Sequence, residues 1–271
     1  MTRRYRKPHR YKKKKPFYRY GVFWFLILAL VFLSALFYFL FLADFFQVKS
    51  IDFSGLEEIP ESDLSSLIYQ KLENRILFFS SKSIFLANLG RIESSILERF
   101  PQIARAEISR RFPDKLDVLI LKRKISAVFC PEERQECFTV DKEGIVYQEA
   151  DFLDSISRPI IKSSSDEEIN LGDRVVEKAD LAKIMEINAY LEKDLSIGVK
   201  EFAVSPHRLA VLTRQGWHIY FSLQEDVKWQ LMKLKALLGE KVPEEKRGEL
   251  EYIELRFGNF ANPKYRNQSM R

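Results

Sequence analysis

The residues able to do covalent, acid–base or metal chemistry are few in this chain and poorly spaced for it. His9, His207 and His218 are its only histidines, and none lies in a pattern such as His-Glu-x-x-His that would bring two imidazoles to one metal. Cys130 and Cys137 flank an acidic stretch, Pro131-Glu132-Glu133-Arg134-Gln135-Glu136. With no other thiol or histidine close in sequence, they do not read as a zinc site. No Gly-x-Ser-x-Gly elbow presents a serine nucleophile, and no Gly-rich loop cradles a phosphate. The 38 Asp and Glu residues offer many carboxylate pairs of the kind that hydrolyse glycans, but a lone acid is far more often a solvated surface charge. His218, beside Trp217 in a strand-like stretch, reads as a surface or edge histidine. The expectation is a non-enzymatic protein with no catalytic residues, no metal and no cofactor.

Composition narrows the class further. The 271 residues allow one large domain or two small ones, and 46% hydrophobic with 30% charged residues excludes a disordered chain. The formal net charge is +6, which alone would fit nucleic-acid binding. Its distribution argues otherwise. Residues 1–20 carry ten Lys/Arg and no Asp or Glu, leaving 34 basic against 38 acidic residues, a net of −4, for the remainder. The basic excess is a terminal tag on a mildly acidic protein, and no nucleic-acid partner is expected.

Gly21 to Ala43 reads GVFWFLILALVFLSALFYFLFLA, 23 residues without a charge. As a helix it spans roughly 34 Å, enough to cross a ~30 Å hydrocarbon core. The basic flank precedes it, and Asp44, Lys49, Asp52, Glu57 and Glu58 follow. The positive-inside rule then places residues 1–20 in the cytoplasm as a short basic tail, and everything after Asp44 on the far side. Tyr18, Tyr20 and Trp24 suit an aromatic belt at the inner interface. The apolar stretch exceeds that of a typical cleaved signal, and its exit lacks an Ala-x-Ala-like site. It reads as an uncleaved, single-pass anchor, with Lys12–Lys15 as part of the orientation signal.

About 225 residues remain for folded domains. Ile51 and Phe53 alternate with polar residues up to Gly55, as in a strand and turn. Leu64, Leu67, Ile68 and Leu72 lie on one helical face after Pro60-Glu61-Ser62-Asp63. Leu89, Ile92, Ile96 and Leu97 mark a second helix that ends before Pro101. Ile103–Arg111 reads as a strand, and Leu116, Val118 and Ile120 share one face of another. Strand, helix, helix, strand, strand is a small α+β unit.

That order, just outside a single anchor, resembles a POTRA domain. The segment Phe100-Pro101-Gln102-Ile103-Ala104-Arg105-Ala106-Glu107-Ile108-Ser109-Arg110-Arg111-Phe112-Pro113 resembles the signature of the FtsQ/DivIB family of bacterial cell-division proteins. The Ser54-Gly55 turn fits as well. Where that family continues with an acidic-Arg pair and Pro-(apolar)-Ala, this chain has Lys122-Arg123-Lys124-Ile125-Ser126-Ala127. It lacks the acidic residue and the Pro, and no role is carried over to Arg123.

In the following segment, Val128-Phe129 and Phe138-Thr139-Val140 read as a hairpin around the cysteines. On the far side of a membrane, either a disulfide or two unpaired thiols fits. Val140-Asp141-Lys142-Glu143-Gly144-Ile145-Val146-Tyr147 resembles a recurrent hairpin of the same family, with Asp141 and Gly144 at its turn. Residues 151–175 read as irregular. A helix is expected around Leu181, Ile184, Met185, Leu191 and Leu195. Strands are expected at Val199–Ser205, Arg208–Arg214 and Trp217–Ser222, and another helix at Val227, Leu231, Leu234 and Leu238. A closing strand spans Leu250–Phe257, and Tyr252-Ile253-Glu254-Leu255-Arg256-Phe257 resembles the family's final strand with Glu in place of Asp.

The expected fold class is therefore α+β, with a single transmembrane helix, a POTRA domain and a β-rich C-terminal domain with helices. The expected segments are 1–20 basic tail, 21–43 anchor, 46–123 POTRA-like domain, 124–260 β-rich domain and 261–271 C-terminal tail. The resemblance implies a bitopic protein of the bacterial cytoplasmic membrane, located at the division septum. It implies a scaffold that recruits FtsB/DivIC-like and FtsL-like single-pass division proteins by β-strand augmentation, with Tyr252, Glu254, Arg256, Phe257, Phe260, Arg208 and Tyr220 as partner-binding candidates. The alternative is a POTRA-containing assembly or secretion factor of the envelope, which would call for tandem POTRA repeats or a β-barrel. Neither pattern is present in the sequence.

Overall fold

A computed structural model of the chain describes residues 21–56, 59–76, 79–132, 136–151, 158–163 and 168–266. The basic tail at 1–20, including Lys12–Lys15, Tyr18 and Tyr20, lies outside the described residues. The chain divides into two compact units, residues 1–94 with 107–119, and residues 95–106 with 120–271.

The apolar run forms α1 (Gly21–Phe41), a helix with no charged residue and none of its side chains buried. It is long and apolar enough to cross a membrane. A single 3-10 turn at Asp44–Phe46 leads out of it.

The next elements follow the alternation and helical spacing of the sequence. They are β1 (Ser50–Ser54), α2 (Glu61–Leu72), α3 (Leu89–Arg99), β4 (Ile103–Arg111) and β5 (Lys115–Lys122). The strands form one sheet of order β1-β5-β4, in which β1 runs parallel to β5. Leu64, Ile68 and Leu72 of α2 are fully buried, as their shared face requires, and Glu61 and Asp63 sit in the first turn, where the helix dipole favours acids. A short hairpin intervenes between the helices, β2 (Asn74–Ile76) and β3 (Phe79–Ser81). Three-residue strands are too brief to show periodicity, and the sequence reading passes over them.

The C-terminal part is built on a nine-stranded sheet. Its strands are β6 (Ala127–Pro131), β7 (Phe138–Val140), β8 (Val146–Glu149), β9 (Ile160–Ser163), β10 (Val199–Ser205), β11 (Arg208–Thr213), β12 (His218–Phe221), β13 (Leu250–Glu254) and β14 (Asn262–Tyr265), in the spatial order β14-β13-β12-β11-β10-β9-β6-β7-β8. Two helices, α4 (Lys178–Lys193) and α5 (Val227–Glu240), contribute Leu181, Ile184, Ile187, Leu191, Leu231, Leu234 and Leu238 to one core with Phe202, Leu209, Val211, Ile219, Phe221 and Ile253 from the sheet and Leu255 just past β13. Asp226 caps α5, accepting from the amides of Lys228 and Trp229.

Three features depart from the sequence reading. First, residues 151–175 contain β9, a central strand parallel to both β6 and β10. Its four residues, Ile160-Ile161-Lys162-Ser163, are specified by pairing on both sides rather than by a local pattern. Second, the closing strand ends at Glu254 instead of Phe257, and the backbone turns away through Gly258 at φ +61°. Third, the segment expected as a tail returns as β14, antiparallel to β13. Residues 267–271 of that tail lie outside the described residues.

Cys130 and Cys137 form a disulfide that bridges the β6–β7 hairpin, with Cα atoms 4.4 Å apart. The adjacent turn is held by Asp141, whose Oδ1 accepts from the amides of Glu143 and Ile145 at 2.9 and 3.0 Å. Gly144 stands there at φ +80°, and a Cβ on it would fall 1.8 Å from the Val176 carbonyl oxygen, so only glycine fits. Arg123, left without a role by the sequence, enters this turn. Its guanidinium hydrogen-bonds the Asp141 carboxylate and donates to the Pro101 carbonyl at 2.8 Å, while its amide donates to Gln102.

Candidate functional site

The partner-binding candidates other than Phe260 gather on the face of the large sheet opposite its helices, across β11 to β13 and the loop that follows β13. Pairing puts them there. Tyr220 of β12 stands opposite Ala210 of β11 and Glu254 of β13, His218 stands opposite Tyr252, and Tyr252 stands opposite Lys264 of β14. Because side chains alternate along a strand, the neighbours Ile219 and Ile253 point into the core.

The side chains form a row of two neighbouring rings with a cation at each end. The Arg208 guanidinium lies 4.9 Å from the centre of the Tyr220 ring, Tyr220 lies 5.1 Å from Tyr252, and Lys264 Nζ lies 5.3 Å from the Tyr252 ring. His218 stacks beside Tyr220 at 5.9 Å. Arg256 adds a second layer, 5.9 Å from Tyr220 and 4.8 Å from Phe257. Each cation over a ring is attracted by the negative face of its π system.

Arg256 is fixed by Glu254. Its Nε and Nη2 donate to the two carboxylate oxygens at 2.9 and 2.7 Å, and its own amide donates to Glu254 Oε1 at 3.0 Å. Burial pushes the Glu254 carboxyl up, but these bonds outweigh it and hold its pKa below the ordinary value. The same pair raises Arg256. Lys264 is raised by its hydrogen bond to Glu251, 3.2 Å away.

Past Glu254 the chain forms a loop that presents Phe257 and Phe260, 64% and 77% exposed. Period-two reading of a continuous strand pairs Phe257 with the core-facing Ile253 and Leu255. The early end of β13 breaks that alternation. The loop is pinned from below. The Leu255 amide donates to Tyr220, and Lys233 of α5 donates through Nζ to the carbonyls of Leu255 and Gly258 at 2.7 and 3.0 Å. Desolvation lowers the Lys233 pKa, against the opposing charges of Glu225 and Glu254.

The structure thus brings together Arg208, Tyr220, Tyr252, Glu254, Arg256 and Phe257, while Phe260 lies further along the loop. Phe260 instead lines a groove of about 560 Å³ with Trp229, Met232, Lys233 and Pro263. Sequence reasoning missed Lys264 and Lys233. Lys233 had a signal, a lysine next to the apolar stripe of α5. Lys264 had none, because nothing marked its segment as a strand. The exposed edge also moves. Among the described residues it belongs to β14, where Pro263 offers no N–H to an incoming strand.

The site holds no paired nucleophile and base. His207 lies in the exposed turn between β10 and β11, away from His218 by a full strand. No group of three or more His, Cys, Asp or Glu side chains suited to a metal occurs among the described residues. What the surface offers is planar rings, fixed cations and backbone edge, which is the chemistry of protein docking.

Residues 46–123 match the family described as POTRA domain, FtsQ-type. The chain carries a POTRA domain of the FtsQ type. This FtsQ-type domain comprises β1 through β5, with α2 and α3 between the strands. Over 119 residues, 44% of its length, the chain is 27% identical to the cell division protein FtsQ of Anaeromyxobacter sp. (strain K), and it spans 36% of that relative's length. Both comparisons support the FtsQ/DivIB resemblance carried by Phe100–Pro113. Ahead of this domain stands α1, long and apolar enough to cross a membrane, and after it comes a large β-rich part.

Proposed function

We propose that the chain is a non-enzymatic scaffold of bacterial cell division, linking proteins of septal wall synthesis. It sits in the cytoplasmic membrane at the septum, with residues 1–20 in the cytoplasm and the folded units outside. The charge asymmetry across the anchor supports this orientation. So does the Cys130–Cys137 bond, which persists in an oxidising compartment.

The partners are small single-pass division proteins of the FtsB/DivIC and FtsL type, bound at the β11–β14 end of the sheet. The observation that carries this reading is the row Arg208, Tyr220, Tyr252 and Lys264, drawn from four adjacent strands and continued by Arg256 and Phe257. Tyr and Arg are the side chains that dominate binding energy at interfaces. An incoming strand adds to the β14 edge, and its side chains reach across to the row. Pro263 removes one backbone donor from that edge, so side-chain contacts carry a larger share than in ordinary strand addition.

Pull-down with the full chain tests this. Phe257→Glu places a charge on an exposed loop and should leave the fold intact while abolishing capture of the single-pass partner. A folded variant that captures the partner as the parent does would remove the assignment.

A further inference from the structure

The end of α1 is tied to the folded unit that follows it. Ser83 Oγ donates to the Leu40 carbonyl at 2.9 Å, Gln47 Nε2 donates to the Phe41 carbonyl at 3.1 Å, and Ser81 Oγ donates to the same carbonyl. These bonds occupy acceptors that a helix C-terminus leaves open. They hold β3 and the residues after it against the exit of the helix.

A train of rings runs from the same place. Phe39, within α1, lies 6.0 Å from Phe45 and 5.5 Å from Phe46, and Phe46 lies 5.0 Å from Phe85. Phe85 lies 5.4 Å from Phe112, in the turn between β4 and β5. Phe45, Phe85 and Phe112 are 54%, 41% and 57% exposed. A contiguous apolar surface of this kind marks a binding surface rather than scattered exposure.

We infer that this ring train is a lipid-contacting surface, seated in the interface of the membrane leaflet from which α1 emerges. The occupant follows from continuity, because the first ring belongs to the membrane-spanning helix itself and each later ring touches the one before. Aromatic side chains gather at that depth, where an apolar body can leave water while the neighbouring backbone stays hydrated. The first folded unit then rests on the bilayer through Phe85 and Phe112, with the polar bonds at Leu40 and Phe41 fixing its attachment. The inference rests on α1 spanning the membrane.

The test uses the full chain in dioleoyl phosphatidylcholine vesicles, with or without bromine on the acyl chains. Trp24, inside α1, reports on the anchor and should lose emission in brominated lipid. In a Trp24→Phe background, Phe85→Trp and Phe112→Trp each add a reporter over the baseline of Trp217 and Trp229. An unchanged circular dichroism spectrum verifies the fold. Both reporters should be blue-shifted and quenched by brominated lipid. Quenching of Trp24 without shift or quenching at positions 85 and 112 would overturn the inference and leave the anchor standing. A blue shift without quenching would assign the rings to a protein contact, and so overturn it as well. An unquenched Trp24 would overturn the anchor, and the inference with it.

Discussion

Glu254 and Arg256, two residues apart, form a forked ion pair with N–O distances of 2.9 and 2.7 Å, and the Arg256 amide closes a third bond to the same carboxylate. The fork orients Arg256 between the Tyr220 and Phe257 rings. Because it lowers the folded-state pKa of Glu254, its stabilisation is fully present above the unfolded value of roughly 4.3 and is lost as pH falls through the folded value. Thermal unfolding of the parent and Glu254→Gln across pH should show a difference of about 1 kcal/mol near neutrality. That difference should vanish in acid. A gap that persists at low pH would contradict the assignment.

Lys233 holds the loop that displays Phe257. Lys233→Met removes donors to the Leu255 and Gly258 carbonyls, but it also removes a desolvated charge, so the net loss of global stability should be only about 1 kcal/mol. Hydrogen exchange should report a local effect, with faster exchange at the Leu255 amide than elsewhere in the sheet. Uniform acceleration would show that Lys233 supports the whole fold instead.

Arg123 and Asp141 are both nearly inaccessible, with side-chain exposures of 11% and 4%. Removing one partner strands the other charge. Arg123→Met and Asp141→Asn should each cost about 3 kcal/mol in denaturant unfolding. A loss below about 1 kcal/mol for both would place the pair among weak surface bridges.

The disulfide closes a short loop. Cys130→Ser with Cys137→Ser should lower stability by about 2–3 kcal/mol without changing the fold. Denaturant unfolding of the variant beside the parent provides the measurement.

The parts legible in the sequence are those with their own period. Ile51 and Phe53 announce β1, Leu64, Ile68 and Leu72 announce α2, and the Asp141–Gly144 turn announces the β7–β8 hairpin. The parts that escaped depend on neighbours. Ile160 and Ile161 form a strand because Val128 and Phe129 on one side and Phe202 on the other pair with that segment. Asn262-Pro263-Lys264-Tyr265 has no strand pattern, and its Pro argues against one, yet β13 provides a template for it. The candidate site was legible in its residue types through the resemblance. Its geometry was not, because Phe257 becomes exposed only when the strand ends early and the loop is drawn down onto Lys233.

The central claim is that residues 250–266 form the docking surface for single-pass division partners. Site-specific photo-crosslinking from Phe257 and Lys264 in dividing cells, followed by mass spectrometry, tests it most directly. The account predicts capture of FtsB/DivIC-like or FtsL-like proteins from both positions, reduced by the Arg256→Ala substitution. Partner capture that is unchanged by that substitution, or no such partner from either position in cells that divide normally, would contradict it.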